Sequence, residues 1–169
     1  MRKIYIAAIC ILAIFVVVIG SLYYNKHAKL QDAKSEMAFR LIAWNLVQLE
    51  GAIMYQMDNQ WSDPNSVIEK VEDIIEGISV TRMLSKDLNM LTKKEDETLT
   101  QLLSFFERFP DYTGFPNSTL DVSDIEMFEQ LRKNLRDTGW GLHISYSAGW
   151  SEFMDMANKL ISTRWIGSG

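Results

Sequence analysis

The first strong pattern is a run with no polar face. Ile4 to Tyr24 reads IYIAAICILAIFVVVIGSLYY, without a charge, and its only hydroxyls are Ser21 and the tyrosines. As a helix at about 1.5 Å per residue it spans about 31 Å, the thickness of a bilayer's hydrocarbon core. A helix also satisfies every backbone polar group within the segment, as lipid demands. Tyr23 and Tyr24 fall where an interfacial aromatic belt belongs. Ile4, Ile11, Phe15, Val18, Tyr23 and Tyr24 are the candidate membrane-spanning residues. A buried core helix and a cleaved signal peptide are the competing readings. Arg2 and Lys3 would serve as a signal's basic region, and Val18-Ile19-Gly20 could precede a cut before Ser21. The apolar core is longer than the usual signal, which favours an uncleaved signal-anchor over residues 1–24. Ile9 before Cys10 is a poor match to lipoprotein processing, so Cys10 reads as a small apolar membrane residue.

Beyond residue 25 the period becomes helical. A first helix is expected to continue from the anchor to about Asp58, with Met37, Leu41, Trp44, Gln48, Gly51 and Tyr55 at four-three spacing and Ile42, Leu49 and Ala52 widening the stripe. The run from Asp58 to Pro64 is a turn, with Asp63 as N-cap and Pro64 at the first helical position. A second helix, antiparallel to the first, is expected to about Leu91 on Val67, Val71, Ile74, Ile78, Thr81, Ser85 and Leu88, flanked by Ile68, Ile75 and Leu84. Gly51 and Gly77, each costing about 1 kcal/mol inside a helix, suggest a close backbone approach or a bend.

Thr92 to Glu95 is a capping box opening a third helix on Leu99, Leu102, Leu103, Phe106 and Phe109, which Pro110 stops. Residues 110–122 are a loop. Ser123 to Glu126 is a second capping box, opening a helix on Met127, Phe128, Leu131 and Leu135 that ends at Gly139. A last helix carries Trp150, Phe153, Met154, Ala157, Leu160, Ile161 and Trp165. The expected fold is all-α: an N-terminal transmembrane helix followed by a compact up-and-down bundle of four to five helices. The bundle takes residues 25–166, and 167–169 form a flexible C-terminal tail.

Charge refines this picture. The 17 basic residues, less Arg2 and Lys3, face 22 acidic ones, so the body carries about −7. That balance leaves no footprint for nucleic acid. Arg2, Lys3 and the terminal amine favour an N-terminus held inside the cell. Lys26, Lys29, Lys34 and Arg40 argue the other way by the positive-inside rule, and can equally touch anionic headgroups or form a solvated face. The expected placement is a single-pass membrane protein with its C-terminal body outside the cytoplasm.

Candidate chemistry is sparse. One cysteine and two histidines, His27 and His143, exclude a disulfide framework and the usual zinc clusters. There is no nucleophile elbow, metalloprotease motif or glycine-rich phosphate loop. Glu95, Asp96, Glu97, Asp121, Asp124 and Glu126 are sufficiently explained by helix capping and the helix dipole. No catalytic, metal-ligating or cofactor-binding residue is expected, and no cofactor. Asn117-Ser118-Thr119 is a sequon in the loop. The aromatic residues outside the helical stripes, Trp61, Tyr112 and Phe115, are the candidate partner-docking residues.

The resulting expectation is a non-catalytic, membrane-anchored interaction module. Its partners would be the lipid bilayer and a membrane or envelope protein, or a second copy through coiled-coil-like pairing. One alternative is a ligand-binding sensor accessory using Asn45, Gln48, Arg82 and Ser85 between helices. Another is a cytoplasm-facing tethered adaptor.

Overall fold

The computed structural model describes residues 2–111, 119–141 and 149–163, with the backbone alone at 2–4 and 6–8. All regular structure among these residues is helical. The chain divides into two units, Met1–Ala33 and Lys34–Gly169.

The first unit is helical throughout its described residues and lies within α1 (Arg2–Met37). Every described side chain from Ile9 to Lys29 is exposed. Among the described residues one helical run, near the N-terminus, is long and apolar enough to cross a membrane. Ile11, Phe15, Val18, Tyr23 and Tyr24 all present exposed apolar surface on it. The side chain of Ile4 lies outside the described residues. Each large aliphatic side chain left in water forgoes about 1.5–3 kcal/mol of burial, so a surface of this length is suited to lipid.

The second unit begins with a change of helical pitch. A π-helical turn, Ala38–Ala43, leads into α2 (Trp44–Asp58), and the Trp44 N–H bonds the Phe39 carbonyl five residues back. The reason lies in the spacing of the buried residues. Lys34, Ala38, Ile42 and Leu46 are all buried at steps of four. In an α-helix of about 100° per residue such steps drift by about 40° each. The wider π turn absorbs that drift. From Leu46 the core stripe continues through Leu49, Ile53 and Gln56. This corrects the expected face: Trp44 and Tyr55 are 53% and 61% exposed, because the stripe built on them is out of phase with the one that packs.

The π turn fits against α3 (Asn65–Asp87) at Gly77. A Cβ on Gly77 would stand 2.0 Å from the Leu41 carbonyl oxygen, so only a hydrogen fits there. The same carbonyl accepts a 3.0 Å hydrogen bond from the Asn45 side-chain amide. Gly77 therefore provides close backbone approach, one of the two roles its sequence context suggested.

The remaining helices are α4 (Lys93–Phe106), α5 (Val122–Thr138) and α6 (Trp150–Ile161). Packing contacts close a ring in the order α2, α3, α4, α6, α5 and back to α2, with the π turn also touching α3 and α6. Directions follow from named contacts. Gln56 late in α2 bonds Ser66 early in α3, and Arg82 late in α3 bonds Asp96 early in α4. Trp61, just past α2, stacks near Phe128 early in α5. Trp140, just past α5, lies 5.9 Å from Phe153 early in α6, and Asn134, further back in α5, bonds Thr163 past the end of α6, so these two run antiparallel. The helices alternate up and down, and a ring of five must then contain one parallel pair. That pair is α4 and α6: Glu95 bonds Trp150 near the start of both, and Thr98 bonds Asn158 at 3.2 Å further along both. Ile42, Ile74, Leu102, Phe106, Phe128, Leu131 and Phe153 are fully buried inside the ring.

The ends of the helices separate two kinds of cap. Thr92 and Glu95 form the expected reciprocal capping box at α4, and Gly139 closes α5 in the left-handed region at φ 104°. The α5 box, however, is Asp121 with Asp124, and the helix starts at Val122 rather than after Ser123. Asp caps as well as Ser does and Asp121 lies two residues earlier, so it captures the free N–H groups first. Asp63 does not cap α3 with its side chain either; Pro64 is already helical at φ −63°. The second helix stops at Asp87, short of Leu91, where Asn89 turns left-handed at φ 54°.

Candidate functional site

The turn between α2 and α3 carries the one docking candidate that falls within the described residues, Trp61. Gln60 and Trp61 are consecutive left-handed residues, φ 56° and 55°. For a bulky side chain this costs on the order of 1–3 kcal/mol and persists only where surroundings enforce it. Gln56 does the enforcing. Its carbonyl accepts the Trp61 N–H at 2.8 Å. Its buried side chain donates to Ser66 Oγ at 3.1 Å and accepts the Asp63 N–H at 3.0 Å. The Ser66 hydroxyl closes the loop on the Asp63 carbonyl at 2.8 Å.

Trp61 is consequently half-buried rather than free. Its ring lies 5.8 Å from that of Phe128, which lies 5.2 Å from Phe109, so one side joins an aromatic stack reaching the core. It also borders a surface groove of about 420 Å³, shared with Gln60, Ser62, Pro64, Thr119, Leu120 and Ile125. These described lining residues are uncharged. Tyr112 and Phe115, the other two docking candidates, lie outside the described residues, as do His143, the sequon at Asn117 and Trp165. His27 is exposed in the first unit, with its ring 6.5 Å from Tyr23.

At the other end of the ring lies a buried polar cluster. Lys34 is 2% exposed. Its Nζ donates to the Met90 carbonyl at 3.0 Å and to Glu95 Oε1 at 3.1 Å, and sits 4.3 Å from the centre of the Trp150 ring. The Trp150 indole N–H donates to the same Glu95 oxygen. Burial raises the Glu95 carboxyl, but the Thr92 backbone N–H, the Trp150 indole, the Thr92 side chain and Lys34 together hold it below its ordinary value. Beside it the Asp96 carboxyl is also lowered, first by its hydrogen bond from Arg82, against a burial penalty, and then by the charges of Arg82 and Lys86.

A second ion pair joins α2 to α5. Glu50 is 1% exposed, with Arg132 Nε at 3.0 Å and Arg136 Nη1 at 3.7 Å. The Arg132 contact lacks hydrogen-bond geometry, so the attraction is coulombic. Sequence spacing gave no sign of either cluster. Glu95 had a sufficient role as a capping residue and Trp150 as a core residue, and each performs both roles at once. Lys34 sat in what read as a solvated basic stretch.

The polar residues considered for a ligand cavity lie on α2 and α3. Asn45 holds the Leu41 carbonyl and Arg82 holds Asp96. Ser85 is buried and Gln48 half-buried. Among the described residues no three His, Cys, Asp or Glu side chains are grouped to hold a metal ion. Comparisons of the chain with protein-family models, with curated proteins and with solved structures find no match.

Proposed function

We propose that this protein is a single-pass, membrane-anchored helical-bundle module that works by binding rather than by catalysis. In this reading its body stands outside the cytoplasm and engages a membrane or envelope partner. The observation that carries the reading is the apolar helix of the first unit, whose described side chains from Ile9 to Leu22 find no burial within the structure. A helix with no protein covering and this length is suited to lipid. The second support is the α2–α3 turn, where two strained residues set a tryptophan at the rim of a groove whose described lining residues are uncharged. Strain of this kind gathers at binding sites. Glu95 and Asp124 serve in helix caps, and Asp96 and Glu50 in ion pairs.

Membrane tethering raises the bundle's effective concentration toward a partner in the same bilayer. A reporter that is active only outside the cytoplasm, fused to the C-terminus, tests the placement. Activity from that fusion, and none from a reporter active only inside, is the expected result. The opposite pair of results would replace this reading with a cytoplasm-facing adaptor.

A further inference from the structure

The α3–α4 end of the bundle exposes apolar surface that the core does not use. Met83, Leu84 and Leu88 are 56%, 40% and 54% exposed. Met83 and Leu84 in the last turns of α3 and Leu88 just past it fall on one side, with the exposed Asp87 among them. The chain then reverses through Asn89, and α4 opens with Lys93 and Lys94, both exposed. Lys86 stands beside the apolar stripe with 64% of its side chain exposed.

The charges here are unevenly matched. Lys34 engages Glu95, and Arg82 engages Asp96. Lys86, Lys93 and Lys94 then face Asp87 and Glu97, with Lys93 lying 3.7 Å from Glu97 and Lys86 keeping a 3.7 Å contact to Asp96. The local balance is positive on a body whose total is about −7. Aliphatic side chains rimmed by lysines are the composition of a surface that sits in a lipid interface.

The length of chain points to the same occupant. Lys34 is bonded to the Met90 carbonyl at this end of the bundle. It lies ten positions past Tyr24, the last residue of the apolar run. Ten residues reach about 15 Å as a helix and no more than about 35 Å in any conformation. If the run spans a bilayer, Lys34 and the Met90 carbonyl that it bonds lie within that reach of its end.

We infer that the α3–α4 end is a second membrane contact, with Met83, Leu84 and Leu88 seated among the headgroups of an anionic lipid surface and Lys86, Lys93 and Lys94 against its phosphates. This rests on the proposed membrane-spanning role of the first unit. Its effect is to hold the bundle down on the bilayer and leave the Trp61 groove, at the other end of the ring, facing away from it.

The test uses the full-length chain with Cys10→Ser in vesicles of phosphatidylcholine and phosphatidylglycerol. Single nitroxide labels are placed at Phe15→Cys, Leu88→Cys or Ser62→Cys, and collisions with oxygen and with a water-soluble nickel complex are compared. The expected result is high oxygen and low nickel access at 15 and 88, and high nickel access at 62. Each lysine is worth about fivefold in occupancy at an anionic surface. Lys86→Glu, Lys93→Glu and Lys94→Glu together therefore shift the seated fraction by more than about 100-fold and return label 88 to water. A label at 15 in lipid with 88 in water overturns this inference alone. A label at 88 shielded from both reagents means a protein covers the stripe and also overturns it. A label at 15 in water overturns the membrane-spanning reading, and this inference with it.

Discussion

Replacing Gly77 with alanine sets two effects of opposite sign against each other. In an isolated helix Gly77→Ala would be favourable by about 1 kcal/mol. Here the new Cβ would stand 2.0 Å from the Leu41 carbonyl oxygen, 2.8 Å from its carbonyl carbon and 3.3 Å from the Leu41 Cβ. The first two are backbone atoms, fixed by the π turn and by the Asn45 amide, and cannot rotate away. Relieving the contact requires α3 and the π turn to separate by roughly 1 Å, which loosens the packing around Ile42, Ile74 and Ile78. Overpacking of this kind costs about 1–3 kcal/mol. Because the obstructing atoms are backbone, the upper end applies, and the propensity gain leaves a net loss of about 2 kcal/mol. For a unit of this size that lowers Tm by about 6–8 °C. Thermal melts of the full chain in detergent, followed by far-ultraviolet circular dichroism, measure it. Gly20→Ala is the control, since nothing lies within 4 Å of its added Cβ. A Tm for Gly77→Ala equal to or above that of the parent would refute the close-approach account of this glycine.

Two further outcomes follow from the caps and the buried cluster. The Glu95 carboxyl is held below its ordinary value, so its contribution to stability is complete above the usual glutamate range and is lost as pH falls through the lowered folded value. Urea midpoints of the parent should therefore decline below about pH 4.5, and the difference between parent and Glu95→Gln should shrink over the same range; a difference that stays constant down to pH 2 would remove the Lys34–Glu95–Trp150 cluster from the account. Asp121→Ala should cost about 1 kcal/mol by loss of the α5 cap, and Ser123→Ala a few tenths at most; chemical denaturation that ranks them the other way would restore the cap to Ser123.

How far the sequence could be read depended on whether a signal was local. The Thr92–Glu95 box and the Gly139 stop are complete within four or five residues, and both stand as the pattern indicated. The α2 stripe failed for a nearby reason. Two four-three patterns run along the same helix one residue apart, and each is acceptably apolar. Choosing between them needed the phase of the helix ahead, and the π turn at Ala38–Ala43 resets that phase. Trp61 was rightly separated from the helical stripes, yet its half-burial depends on Phe128, 67 positions away in the chain.

The sequence by itself determined that the chain is helical, where most of its helices begin and end, and that its first apolar run suits a bilayer. Those properties depend on periodicity, capping and hydrophobic length, all carried by residues within a few turns of one another. Tertiary structure alone decided the ring order, the parallel pairing of α4 with α6, the burial of Lys34 and Glu50 and the apolar stripe left open on α3. Each depends on which faces meet across the core. Side chains far apart in the chain compete for that space, and only packing of the whole unit resolves the competition.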